Sequence, residues 1–475
     1  MIIMNDKSRN KILLVLFLGV LMGALDIAIV APALPSIQKF FGVGDRILAW
    51  TFTIYVLFNL IGTPLMAKLS DKFGRRSIYI LDVVLFALGS ILITLSPQKS
   101  FAVLLAGRAL QGFGAGGIFP VASAVIGDTF PPEKRGKALG LIGAVFGLAF
   151  LVGPVLGGVI LSIATWQWLF MINLPLALVV IVMGWQLLPS KGSTAQLRFD
   201  WTGLLVLSVL LAAFTYSLNQ IDAQHFFSSL VSMRVLPFLL LGLVLLLIFP
   251  TIERKASDPI VNMSLFGSRQ VRLTSILSAG AGLGESGLSF MPALAMAALP
   301  GIITTSTSSY MLLPVVLAMS VGSPMVGRLM DRFGSKVMVF FGTLLLAIGM
   351  ITLSTPAISQ TLWGFILSGV AIGFGLSSLL GAPMRYIMLN ETTARDRTAA
   401  QGLISLFTSV GQLASSALIG AVAASRGGGV AGYGGAYGVV GIVAVIMLLL
   451  SLGLKNRQQE LATVQNNQLD AQAAS

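Results

Sequence analysis

The feature that most constrains this chain is a succession of apolar stretches from residue 12 to residue 454, each close to the roughly 20 residues a helix needs to cross a bilayer. Hydropathy places fourteen of them, at 12–34, 47–69, 77–96, 101–126, 137–162, 167–188, 201–218, 233–252, 272–297, 305–329, 336–354, 361–388, 400–424 and 433–454. The runs are continuous and do not alternate, which excludes a transmembrane β-barrel. Charged residues make up 10% of the 475, where a soluble chain would carry about a quarter. The chain therefore reads as an all-α integral membrane protein. Its first run follows Lys7, Arg9 and Lys11 and is too long for the apolar core of a signal peptide, so it is expected to remain as the first span.

The net charge of +13 has a membrane explanation and does not point to nucleic acid. With the N-terminus inside, the outer segments hold only Lys39, Arg46, Lys99, Arg234 and Arg426, and Arg108 lies within a helix. The other 24 of the 30 Lys and Arg fall in inner segments, as the positive-inside rule requires. Both tails are then cytoplasmic, and a multi-pass cell-membrane location follows. The Gln- and Asn-rich tail after Lys455 is expected to be a short disordered end. Cysteine is absent and the one histidine, His225, falls in an expected outer loop, so neither disulfides nor a transition-metal site is expected. No Walker A motif is present to couple ATP, and no Ser-His-Asp or HExxH arrangement can be drawn.

An internal repeat organises the chain. Residues 62–76 read GTPLMAKLSDKFGRR and residues 322–336 read GSPMVGRLMDRFGSK. Gly62, Pro64, Leu69, Asp71, Phe73 and Gly74 return as Gly322, Pro324, Leu329, Asp331, Phe333 and Gly334, at a constant offset of 260. GRALQGFG at 107–114 answers GVAIGFG at 369–375, and Arg135 and Gly140 answer Arg397 and Gly402. The division expected is a six-helix bundle at 1–188, two inserted helices with a linker at 189–271, a second six-helix bundle at 272–454, and a tail at 455–475. Duplicated halves around a central site are a transporter signature.

Five stretches carry a family resemblance: ALDIAIVAPALP (24–35), AKLSDKFGRR (67–76), LLAGRALQGFGAG (104–116), GLAFLVGPVLGG (147–158) and WQWLFMINLP (166–175). In this order and spacing, with Trp50 and Tyr55, they make the chain resemble the major facilitator superfamily and, within it, the fourteen-helix drug:proton antiporters. The resemblance departs at Ala67, where a leading Gly is usual, and at Ser335, where the second copy lacks the first basic residue. It implies a major facilitator fold and proton-coupled efflux of lipophilic, cationic drugs by a monomer, with alternating access, protons as coupling ion and no cofactor. The alternative cargo is a lipid, peptide or other amphiphile. A receptor, a channel or a membrane enzyme fits the repeated motifs less well.

The candidate residues follow. Asp26 is a lone carboxyl midway along the first span, where a charge costs roughly 2.5–3.5 kcal/mol on insertion scales. Low dielectric penalises the ionised form of a carboxyl, which suits a group that takes up and releases protons. Arg108, with Gln111 and Gly112 on its face, would favour the ionised form if it lies near Asp26, as the resemblance implies. The alternative is a static ion pair holding two helices together. Val370 stands at the matching place in the second half, so the ionic groups concentrate in the first. Glu285 is a second intramembrane acid, a candidate for cation sensing or a second proton. Asp82 is expected near the cytoplasmic face in a structural or snorkelling role. Asp71, Gly74, Arg75 and Asp128 are expected to form a gating cluster, with Asp331 and Gly334 as its second copy. Gly153, Pro154, Gly157 and Gly158 belong to the stretch that resembles the antiporter motif; close helix packing is its plainer reading. Tyr55, Asn59, Gln111, Phe290 and Met291 are candidate lining residues for a greasy, adaptable substrate pocket.

Overall fold

The computed structural model describes residues 6–189, 200–257, 259–305, 307–392, 397–463 and 465, and regular structure among them is helical. Among the described residues, twelve helices are long and apolar enough to cross a membrane. In the first half the principal elements are α1 (Asp6–Phe41), α2 (Trp50–Phe73), α3 (Arg75–Thr94), α4 (Phe101–Thr129), α5 (Pro132–Ile163) and α6 (Asn173–Leu187). Then come α7 (Trp201–Gln220) and α8 (Leu236–Lys255). The remainder are α9 (Arg269–Gly287), α10 (Met291–Ala298), α11 (Leu313–Phe333), α12 (Ser335–Ser354), α13 (Leu362–Leu379), α14 (Ala382–Asn390), α15 (Arg397–Ser425) and α16 (Gly429–Ser451).

One of the fourteen expected spans takes another form. The span at 137–162 lies within α5, a single unbroken helix. The span at 272–297 is broken: α9 passes through a 3-10 turn at Leu288–Phe290 into α10. Pro292, in the first turn of α10, explains the break. It has no N–H to continue the ladder, and its ring clashes with the carbonyl four residues back.

The chain divides into two compact units, residues 1–208 with 305–310, and residues 209–304 with 311–475. In the first, α1 packs on α5, α2 and α3 pack on α4, and α3 meets α6. In the second, α9 packs on α15, α11 and α12 pack on α13, and α12 meets α16. The sequence repeat is thus a repeat of packing. In lipid this packing cannot draw on expulsion of water between helices, so close backbone approach supplies it. A Cβ at Gly112 of α4 would stand 2.2 Å from the Tyr55 carbonyl oxygen of α2, and one at Gly282 of α9 would stand 1.9 Å from that of Thr408 in α15. Both signature turns also need glycine, since Gly74 (φ 92°) and Gly334 (φ 84°) reverse the chain with left-handed backbone.

The tail departs from expectation over its described part; residues 464 and 466–475 lie outside the described residues. Residues 457–463 are helical and pack on the second unit. Glu460 is 5% exposed and accepts from the backbone N–H of Ser335 at 3.3 Å and from its hydroxyl. Arg457 donates to the Tyr386 hydroxyl at 3.3 Å. Composition alone read this segment as disordered because its few apolar residues cannot form a core. Specific polar contacts to a preformed helix start hold it instead.

Candidate functional site

Five helices of the first unit converge on Asp26, which is completely buried. Its Oδ2 accepts from Arg108 Nη1 at 2.6 Å. Its Oδ1 accepts from Gln111 Nε2 at 3.1 Å and Asn173 Nδ2 at 2.9 Å. Arg108, from α4, is also fully buried. It donates from Nε to the Thr51 carbonyl of α2 at 3.0 Å and from Nη1 to Gln111 Oε1 at 2.7 Å. Its guanidinium lies 4.2 Å from the centre of the Tyr55 ring, a cation–π distance. Gln111 donates in turn to Ser90 of α3 at 2.8 Å. A buried charge is tolerated when paired and hydrogen-bonded, and both Asp26 oxygens are satisfied.

The arrangement follows from the sequence pattern. Gln111 lies three residues from Arg108, on one face of α4. Gly112, one residue on, lets α2 approach closely enough to place Tyr55 and Thr51 over the guanidinium. Asn173 and Ser90 are the partners sequence reasoning missed. Asn173 stands within WQWLFMINLP, which marks the family resemblance without announcing a contact to Asp26. Against α1, a Cβ at Gly153 would lie 2.4 Å from Ala28 Cβ, and one at Gly157 would lie 2.8 Å from Pro32. With buried Pro154 and Gly158, these residues seat α5 on the stretch of α1 just past Asp26.

The second unit holds a sparser site. Glu285 of α9 is half-buried, and its Oε2 accepts from Gln412 Nε2 of α15 at 3.0 Å. It lies two residues before the end of α9, and the break that follows is held by the Tyr437 hydroxyl donating to the Gly287 carbonyl at 2.7 Å. Gln412 is a further partner the sequence did not reveal, since nothing in linear order joins the two helices. Phe290 and Met291 are buried, beside Tyr433 and Gly369 respectively, as core side chains. Tyr55 and Gln111 likewise belong to the Asp26 network. Asn59 is half-buried in α2.

Asp71, Arg75 and Asp128 come together. Arg75 Nη1 reaches Asp71 Oδ1 at 2.6 Å, and its Nε reaches Asp128 Oδ2 at 3.0 Å. Ser70 adds a contact, accepting from Arg75 at 2.7 Å. The cluster ties the ends of α2 and α4 to the start of α3. In the second copy Ser335 replaces Arg75 and meets Glu460; the Asp331 side chain lies outside the described residues.

Asp82 narrows the sequence reading to its structural alternative. It does not snorkel: it is fully buried, neither oxygen has a hydrogen-bond partner among the described residues, and its carboxyl sits where a Cβ on Gly117 would come within 2.0 Å. The Gly117 backbone offers room, so the side chain folds against α4.

The geometry can be set beside known proteins. The family model described as Major Facilitator Superfamily matches residues 16–312 and, again, 274–470. The chain belongs to the major facilitator superfamily. It is accordingly a multi-pass membrane transporter and not an enzyme. An uncharacterized MFS-type transporter of Bacillus subtilis, YfiU, is 31% identical over 86% of this chain and 78% of its own length. Multidrug resistance protein 3 of the same organism is 29% identical over 88% and 80%. Among solved structures, a POT family transporter in complex with 5-aminolevulinic acid aligns with a TM-score of 0.68 at 14% identity, over 93% of this chain and 95% of that one. A bacterial homolog of the human lysosomal transporter Spinster aligns with a TM-score of 0.64 at 15% identity, over 98% and 99%. These structural likenesses establish the superfamily fold.

Proposed function

We propose that this superfamily member is a fourteen-helix, proton-coupled exporter of lipophilic cations, with Asp26 as its principal proton-binding group. The observation that carries the reading is the intramembrane network in which Asp26 meets a guanidinium and two amides at once. Such a network ties the charge on Asp26 to the contact between α1 and α4. When Asp26 takes a proton, Arg108 loses its counter-ion but keeps the Thr51 carbonyl and Gln111 Oε1 as acceptors. Protonation therefore loosens the tie between α1 and α4 without leaving the guanidinium bare.

Glu285 complements it. A half-buried carboxylate held by one neutral amide keeps its charge available to a cation. Proton and cationic substrate then compete for negative charge: protons enter from the outside-high reservoir, and their release inside accompanies binding of the next substrate. The Asp71–Arg75–Asp128 cluster gates access, and the tight α1–α5 seam at Gly153 and Gly157 favours exchange over leak. Multidrug names among relatives near 29% identity support the cargo class. Positive-inside charge supports cytoplasmic termini.

The test uses purified protein in proteoliposomes, an imposed pH gradient and a fluorescent lipophilic cation. Asp26→Asn is expected to abolish gradient-driven export. Export at the wild-type rate would refute the coupling role of Asp26.

A further inference from the structure

A cavity of about 690 Å³ opens on the second unit, at the end of α9 opposite Glu285, where the start of α9, the start of α12 and the turn after α16 meet. Its walls include Arg269, Lys336, Lys455, Gln270, Glu391 and Leu452. The charge in it is unequal. Glu391 is engaged by Lys455 and by the Ser268 hydroxyl, at 3.0 Å for the latter. Lys336 donates to the Leu452 carbonyl at 2.6 Å and meets no carboxylate among the described residues. Arg269 is exposed, and its guanidinium makes no ion pair or hydrogen bond among the described residues; it lies over Gly453, where a Cβ would stand 3.1 Å from Nη2. Among the described residues, two cations in one concavity thus meet no carboxylate.

The cavity is built, not incidental. Gln270 is buried and pins the turn from both sides, donating to the Gly453 carbonyl at 3.3 Å and accepting from the Lys455 N–H at 3.1 Å. Lipid-facing surface adjoins it: Leu452, itself in the wall, is 53% exposed, Leu449 one turn earlier is 63% exposed, and Ile276 on α9 is 50% exposed. We propose that this cavity binds the phosphate headgroup of an anionic membrane lipid, with Arg269 and Lys336 on the phosphate and the acyl chains along the flank of Leu449, Leu452 and Ile276. The expected inner-leaflet position of these segments is where anionic headgroups and basic pockets between membrane helices meet.

The test is binding and not transport, so its outcome is independent of the coupling proposed for Asp26. Full-length protein in detergent is titrated with phosphatidylglycerol, phosphatidylcholine or inorganic phosphate, following thermal unfolding and retained lipid by native mass spectrometry. Phosphatidylglycerol is expected to raise the unfolding temperature and remain bound, and the other two are not. Arg269→Gln with Lys336→Gln should weaken phosphatidylglycerol binding roughly thirtyfold, and the charge-keeping Arg269→Lys with Lys336→Arg should retain it. Should the first pair unfold, Arg269→Gln alone reads the same effect at roughly fivefold, because that side chain supports no described contact. Equal stabilisation by phosphatidylcholine, undiminished binding in the neutral variants, or the full shift from inorganic phosphate alone would each overturn the lipid assignment.

Discussion

The two halves share a packing scheme and differ in their charges. In the first, Asp26 is closed off by Arg108, Gln111 and Asn173, and the signature turn is held by Arg75 between two carboxylates. In the second, the acid is Glu285 with a single amide partner, Val370 replaces the arginine, and Ser335 at the turn is met by Glu460 of the tail. The glycines at helix crossings and turns recur because backbone approach and left-handed φ admit few substitutes. Charged side chains obey no such constraint, so the duplicated scaffold pairs Asp26 tightly in the first half and holds Glu285 by one described amide in the second. Under the function proposed above, that difference suits a division of labour in which one half senses protons and the other keeps charge within reach of a cation.

The comparison breaks most readily at Arg108. Arg108→Ala leaves Asp26 buried without its counter-ion and is expected to destabilise the purified protein by about 3–5 kcal/mol. Adding Asp26→Asn should recover part of that loss. A loss under about 1 kcal/mol in detergent unfolding would mean the first half is no more dependent on its charges than the second.

The matching change in the second half sharpens the contrast. Gln412→Leu removes one neutral donor from Glu285 and should cost about 1 kcal/mol. Transport should persist with an altered dependence on pH, read in the same proteoliposome assay. Complete loss of transport would make the Glu285 site as tightly coupled as that of Asp26.

The smallest effect is expected at the tail. Burial holds the Glu460 carboxyl above its ordinary 4.5, against the pull of the Ser335 N–H and Arg457. The docked tail therefore binds a proton more readily than the free tail. Docking is favoured most below that ordinary value and weakens as pH rises through the raised one. The chain has no cysteine, so a fluorophore on Gln459→Cys reports the docking directly. Glu460→Gln should flatten the pH response, and an unchanged response would assign it to another group.

Much of this was legible in the linear chain. The length and polarity of the apolar runs fix membrane helices, because lipid leaves the backbone no partner but itself. The offset of 260 between Gly74 and Gly334 announces the duplication, and the rarity of intramembrane charge singles out Asp26, Arg108 and Glu285. The Asp71–Arg75 contact follows from helix spacing. What linear order could not supply were contacts between helices distant in sequence. Asn173 reaches Asp26 across 147 residues and Gln412 reaches Glu285 across 127. Uncharged amides are common and cost little to bury when paired, so nothing in their composition marks them. The inward turn of Asp82 depends on the bare backbone at Gly117, and the order of the tail depends on a helix start 125 residues earlier. Sequence singled out Asp26, Arg108 and Glu285 as charges within membrane helices; only the tertiary structure decided what each one meets, and that Asp82 and Glu460 are buried as well, because a partner is a matter of distance in space.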